Sequence, residues 1–295
     1  MIKSVAGPNP NPRKPRLKLP AGSCDCHCHI FGPEAQFPFF EGRSYTPPDV
    51  PFEQFSELMQ TLGIERAVIV QPSIYGTDNA CTEDGVRRLG KNGRGVAVID
   101  PDIDRTELQR LADAGFKGAR LNLYHPGGST PLEQLENVAR CVAEVDWHTQ
   151  IYIQGRMLPE VHTRLKGLPT PIVLDHLGHM EYGKGLDQPG FRVLLELLEG
   201  GNCWVKLSPY RFDIGGPPYA EARKFVRALF AAAPDRLVWG TDYPHPDVAG
   251  PTPDEPGPMP DDGDIVDAID TWLDSDADIR KIMVDNPKAL YGFED

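Results

Sequence analysis

Cys24-Asp25-Cys26-His27-Cys28-His29-Ile30-Phe31 is a short run of small and apolar residues carrying two histidines set two apart. In an extended strand such residues project to the same side, so His27 and His29 share a face. The run forms the first of eight strand candidates, 23–31, followed by 66–73, 94–100, 116–123, 148–155, 170–178, 203–209 and 235–244. Between them lie segments with apolar spacing of three and four, such as 52–62, 132–145, 191–199 and 220–233. Strand and helix in alternation imply parallel pairing through right-handed crossovers. Eight such units in 295 residues fit a closed (β/α)8 TIM barrel of the α/β class. An open doubly wound sheet is the competing architecture, but no Gly-x-Gly-x-x-Gly opens a helix here, so dinucleotide binding lacks its usual marker. The expected organisation is one barrel domain over 21–295, preceded by an extended arm over 1–20.

Composition narrows the function. With 30 Lys+Arg against 43 Asp+Glu the net charge is −13, which disfavours a nucleic-acid binder because such proteins need a basic stripe. A small anionic substrate is compatible, since a few local arginines create a positive pocket in a negative protein. No apolar run reaches the 18 residues of a membrane span. The arm carries Lys3, Arg13, Lys14, Arg16 and Lys18 among prolines and lacks an apolar core, unlike a signal peptide. A reduced, cytoplasmic protein is therefore expected, with Cys24, Cys26, Cys28, Cys81, Cys141 and Cys203 as free thiols. A homo-oligomer is compatible with the sequence. Two long insertions, 32–50 and 246–262, follow strand C-termini and are expected to serve as lids or binding loops. Residues 264–291 are expected to form two closing helices.

The chemistry collects at strand ends. The sixth candidate strand runs into Asp175-His176 and the eighth into Asp242. A buried carboxylate without a partner costs several kcal/mol, so Asp242 calls for a cation or proton donor, and His27, His29 and His176 are the available groups. Arg120 and Asn122 share parity on the fourth strand, and an arginine facing a barrel interior calls for an anion. Arg211 is a second cationic candidate and Arg156 a weaker one. Tyr45, Ser73, Tyr75, Thr77 and Tyr152 are positioned to supply hydroxyls. His179 and His245, each three residues beyond His176 and Asp242, complete the substrate-facing set. Cys24, Cys26 and Cys28 alternate with the histidines and are expected to face the helix layer. With no Gly-x-Ser-x-Gly elbow, a covalent mechanism lacks a nucleophile.

His27-x-His29, LDHLG at 174–178, WGTDYPHP at 239–246 and DNPKALYGF at 285–293 resemble the amidohydrolase superfamily. FGPEAQFPF at 31–39, QPSIYGTDN at 71–79, AVIDPDID at 97–104 and RLNLY at 120–124 resemble the 2-pyrone-4,6-dicarboxylate lactonases and the related 4-sulfomuconolactone hydrolases. The resemblance covers about residues 20–293 and implies a distorted barrel that hydrolyses an anionic lactone in bacterial degradation of aromatic compounds. For that reaction the expected roles are Asp242 as general base, His27, His29 and His176 around the carbonyl, directly or through one Zn²⁺, and Arg120 and Arg211 on the anionic groups. Binuclear members carry a carbamylated lysine on the fourth strand and a histidine on the fifth. Here Lys117 and His148 lie at the wrong ends of those strands. The lactonases are generally metal-independent, so no cofactor is required on this reading, although His27, His29, His176 and Asp242 could hold one Zn²⁺. Two departures bear on substrate: His179 stands where Asp-His-x-Gly-Arg has arginine, and Tyr124-His125-Pro126-Gly127-Gly128 replaces a basic segment. Both favour a differently arranged or less carboxylated lactone, such as a sulfonated one. A metal-dependent decarboxylase or hydratase of an unsaturated acid, and a non-enzymatic binding module, are the alternative functions.

Overall fold

Phe55, Leu58, Met59 and Leu62 recur at helical spacing and are all buried, while the intervening positions are polar. That pattern makes 52–62 a helix that must lie against a sheet. It stops at Gly63, whose positive φ of 76° returns its N–H to the carbonyl of Met59. Each such leucine stabilises the packed helix by about 1.5–3 kcal/mol. The same logic repeats around the molecule.

A computed structural model describes residues 2–124, 130–246 and 257–294. In chain order its strands are β1 (Lys3–Ser4), β2 (Cys24–Cys28), β3 (Tyr45–Thr46), β4 (Arg66–Val70), β5 (Gly93–Ala97) and β6 (Phe116–Asn122). They continue with β7 (His148–Tyr152), β8 (Ile172–Leu174), β9 (Cys203–Leu207) and β10 (Leu237–Trp239). The helices are α1 (Phe52–Leu62), α2 (Ala80–Leu89), α3 (Arg105–Asp113), α4 (Leu135–Ala143), α5 (Leu158–Lys166), α6 (Pro189–Glu199) and α7 (Ala220–Ala232). The chain closes with α8 (Asp262–Trp272), α9 (Asp276–Arg280) and α10 (Asn286–Tyr291), the last two joined by a π-type turn at Lys281–Asp285. No described helix is long and apolar enough to cross a membrane.

Eight strands form one parallel sheet in the order β10-β9-β8-β7-β6-β5-β4-β2. The sheet closes just beyond its last strand: Asp242 N donates to His27 O and His29 N to Tyr243 O, both at 2.7 Å. Gly240 permits this approach, because a Cβ there would lie 2.7 Å from the His27 backbone nitrogen. The (β/α)8 expectation is met.

All eight strands form where expected, but several stop early. The sixth reaches only Leu174 and the eighth only Trp239, because the chain turns there into positive φ at His176 (51°), Leu177 (57°) and Asp242 (60°). A further correction concerns the cysteines. Cys24 and Cys26 do not face the helices; they pack inside the barrel with Val68, Val70, Val96, Val173 and Tyr291. A register shift between Asp25 and Cys28 breaks simple alternation, so Cys26 and His27 both point inward and only Cys28 joins the outer core.

Candidate active site

The site is built where the strands end. His27 lies within β2 and His29 just after it, His176 two residues past β8, and Asp242 three past β10. Positive φ at His176 and Asp242 is sterically costly for residues with a Cβ and is characteristic of functional turns. Asp242 Oδ1 lies 3.2 Å from His29 Nε2 and 3.4 Å from His27 Nε2, and Oδ2 lies 3.9 Å from His176 Nε2. Four side chains from three strand ends therefore meet around one carboxylate, and all four are buried.

Two cations balance the buried carboxylates. Arg211 Nε donates to Asp242 Oδ2 at 2.5 Å, and the Tyr210 hydroxyl donates to the same oxygen. Arg120 Nε donates to Asp175 Oδ2 at 3.0 Å, while Asp175 Oδ1 sits 3.2 Å from His27 Nδ1. Below them Lys206 Nζ donates to the carbonyl of Cys26 at 2.7 Å.

Burial sets the charge states. It pushes the His27 imidazole down to about 3 and lowers those of His29 and His176, the neighbouring carboxylates only partly offsetting it. All three rings are thus neutral near pH 7. Burial alone would raise Asp242, but the charge of Arg211, then the imidazole of His176, hold it well below the carboxylate range. Asp175 is held low by His27 and Arg120 in the same way, against its own desolvation. Lys206 is brought down to about 8 by burial.

His29 Nδ1 lies 2.6 Å from Val70 O, an acceptor, so the proton is on Nδ1 and the Nε2 lone pair faces Asp242. His27 Nε2 makes no hydrogen bond and converges on the same Oδ1. Acceptors aimed at one point are the donor chemistry of a single divalent cation, and His27, His29 and Asp242 fit one. His27, Asp175 and His176 form a second ligand group that shares His27. Arg211 on the other oxygen of Asp242 disfavours a second ion. Lys117 is the second residue of β6 and His148 starts β7, the latter against Tyr291 at the barrel floor.

Above this cluster is a cavity of about 280 Å³ lined by His29, Tyr45, Ser73, Arg120, Asn122, Tyr152, Arg211 and Asp242, together with Lys3, Val5, Ser44, Pro72 and Pro246. Five expected substrate contacts are placed elsewhere. Tyr75 is buried with its hydroxyl accepting from Gly32 N at 2.7 Å, which fixes the 32–50 insertion. Thr77 is exposed on the turn before α2. His245 is buried against Asp262, Nε2 to Oδ1 2.9 Å, tying the β10 loop to α8. His179 lines an adjoining cleft with Tyr124, its ring 4.4 Å from that tyrosine. Arg156 sits on the surface with Nε on Gln154 Oε1. Residues 125–128 and most of the 246–262 insertion lie outside the described residues.

Sequence reasoning passed over Asp175, Tyr210, Lys206 and the arm residues Lys3 and Val5. Asp175 and Tyr210 each adjoin a residue that was singled out, and a buried arginine such as Arg120 already required a carboxylate. Lys206 had a signal too, a lone charge in Cys203-Trp204-Val205-Lys206-Leu207 on the inward parity of Trp204.

Comparison with known proteins gives a consistent result. The family model described as Amidohydrolase matches residues 24–293. The 4-sulfomuconolactone hydrolase of Hydrogenophaga intermedia is 36% identical over 266 residues, 89% of this chain and 86% of that protein. The 2-pyrone-4,6-dicarboxylate hydrolase of Comamonas testosteroni is 38% identical over 273 residues, 89% of this chain and 87% of that one. An apo crystal structure from Agrobacterium tumefaciens superimposes with a TM-score of 0.84 at 32% identity, covering 95% of this chain and 99% of that one.

Proposed function

The chain belongs to the amidohydrolase family, and from that premise we propose that it is a carboxylic-ester hydrolase that opens an anionic lactone by attack of water on the ring carbonyl. The observation that carries this reading is the placement of Asp242. It is an ionised carboxylate flanked by three neutral imidazoles, at the floor of a cavity whose walls carry two arginines. The relatives named for carboxylated and sulfonated lactones support the substrate class.

The steps follow from the side chains. Arg120 and Arg211 bind a carboxylate or sulfonate and hold the ring within reach of Asp242. Asp242 Oδ1 takes a proton from the attacking water. Arg211 normally keeps this carboxylate a weak base. An anion that draws on the same guanidinium relaxes that field, so basicity rises when substrate is seated. His176, whose Nε2 lies 3.9 Å from Asp242 Oδ2, can carry its proton on that nitrogen and offer an N–H to the developing oxyanion, while His27 keeps its Nε2 lone pair toward Asp242. Asp175 orients His27 through Nδ1. One Zn²⁺ bound by His27, His29, His176 and Asp242 would polarise the carbonyl and acidify water, and the residues accommodate it without the reaction requiring it.

The direct test is hydrolysis of 4-sulfomuconolactone, 2-pyrone-4,6-dicarboxylate and neutral sugar lactones with and without a chelator. Ring opening of an anionic lactone that survives chelation is expected. Turnover restricted to decarboxylation or hydration, and lost with metal, would replace this reading by the metal-dependent alternative.

A further inference from the structure

The first residues of the chain belong to the cavity wall. β1 pairs in parallel with β3, Lys3 beside Tyr45 and Ser4 beside Thr46, and Val5 N donates to Thr46 O at 3.1 Å. The rest of the arm is tied to α8. Arg16 Nε meets Asp267 Oδ2 at 3.0 Å, Arg13 Nη2 meets the same oxygen at 2.7 Å, and Asn9 Nδ2 donates to Asp261 at 2.9 Å. An arm fastened at both ends presents Lys3 and Val5 to the same cavity as Arg120, Arg211 and Asp242.

Charge then singles out Lys3. Each guanidinium in the cavity already faces a carboxylate of the protein, Arg120 with Asp175 and Arg211 with Asp242. The Lys3 side chain is exposed, and no ion pair or hydrogen bond engages its ammonium group among the described residues. A lactone with two anionic groups brings more negative charge than these partly neutralised arginines can match. A cation at the rim, opposite the reactive carbonyl, is what such a substrate would require.

We propose that Lys3, held in place by the β1–β3 pairing, is a specificity-determining residue that binds the outer anionic group of a dianionic ligand. The proposal rests on the anionic-lactone reading, and it assigns discrimination between dianions and monoanions to the N-terminal arm. The arginines serve either class, whereas Lys3 serves only the ligand that reaches the rim.

The test uses the full chain and its Lys3→Met and Lys3→Arg variants. Isothermal titration calorimetry with isophthalate, a flat dicarboxylate with no bond to hydrolyse, and with benzoate reads binding without turnover. Lys3→Met is expected to weaken isophthalate about fivefold while leaving benzoate within about twofold, and Lys3→Arg to stay near the parent. With 4-sulfomuconolactone the same loss is expected in KM, with kcat unchanged. Equal weakening of both ligands, no weakening, or no binding of isophthalate by the parent would overturn the assignment. If calorimetry shows the selective loss but no lactone is opened, the hydrolase reading fails and the Lys3 site stands. If lactones are opened and the two ligands do not diverge, the reverse holds.

Discussion

The two ends of the barrel interior use the same inward-facing positions to opposite effect. At the floor, Cys24, Cys26, Val68, Val96, Val173 and Val238 pack with Tyr291 and Phe293 of the closing segment, which plugs that end. At the mouth, the positions hold Arg120, Asn122, Tyr152, His176 and Asp242, and they line or underlie an open cavity. His27 and His148 show the contrast most clearly. Both imidazoles are fully buried and both are pushed down to about 3, burial being the main cause in each case. His148 packs edge-on against the Tyr291 ring and close over Gly118, whereas His27 lies between Asp175 and Asp242. A neutral buried imidazole is therefore not in itself a sign of catalysis. Convergence with carboxylates at strand ends is the distinguishing feature.

The largest expected effect breaks the mouth. Asp242→Asn keeps the shape but removes the proton acceptor, so kcat should fall about 10³-fold while ligand binding persists, read by steady-state kinetics alongside calorimetry. Near-normal turnover would remove Asp242 from the chemistry. Next comes Arg120→Met, which takes a guanidinium from the cavity and strands Asp175. KM for an anionic lactone should rise about 50-fold and the thermal midpoint should drop, since breaking a buried pair costs about 3–5 kcal/mol. An unchanged KM would reduce Arg120 to a structural partner of Asp175.

A smaller effect sharpens the floor. His148 titrates near 3 in the folded chain against 6.5 ordinarily. Its contribution to stability is therefore complete above about pH 6.5 and is lost as pH falls toward 3, because only the unfolded chain takes up the proton in that window. The slope is up to about 1.4 kcal/mol per pH unit for this one group. Urea unfolding of His148→Leu at pH 4.5 and 6.5 should show a pH dependence weaker by about one proton, with kcat preserved. An unaltered pH dependence would mean that His148 is already charged in the folded state.

Much of this was legible in the chain. Strand–helix alternation supplied the barrel; His176 and Asp242 were located because each follows an apolar run, and His27 and His29 because residues two apart share a strand face. Alternation failed at Cys26, where a register shift puts two successive side chains inside, and such a shift leaves no mark in residue types. Strand ends were overrun at His176 and Asp242 because apolar content continues through Leu177 and Tyr243 while the backbone turns. Loop hydroxyls proved the least legible. Tyr75 and Thr77 sit in the same short segment as Ser73, yet only Ser73 reaches the cavity, since a tight turn rotates the other two away. The arm's part in the wall depends on long-range pairing of β1 with β3, which a two-residue strand cannot announce.

The central claim is that the cluster around Asp242 delivers water to a lactone carbonyl. Incubating the protein with 4-sulfomuconolactone or 2-pyrone-4,6-dicarboxylate in water enriched in heavy oxygen tests it most directly. The ring-opened product should carry one heavy oxygen in its new carboxylate, at a rate that collapses in Asp242→Asn. A product that is still a lactone and holds no label would contradict the claim.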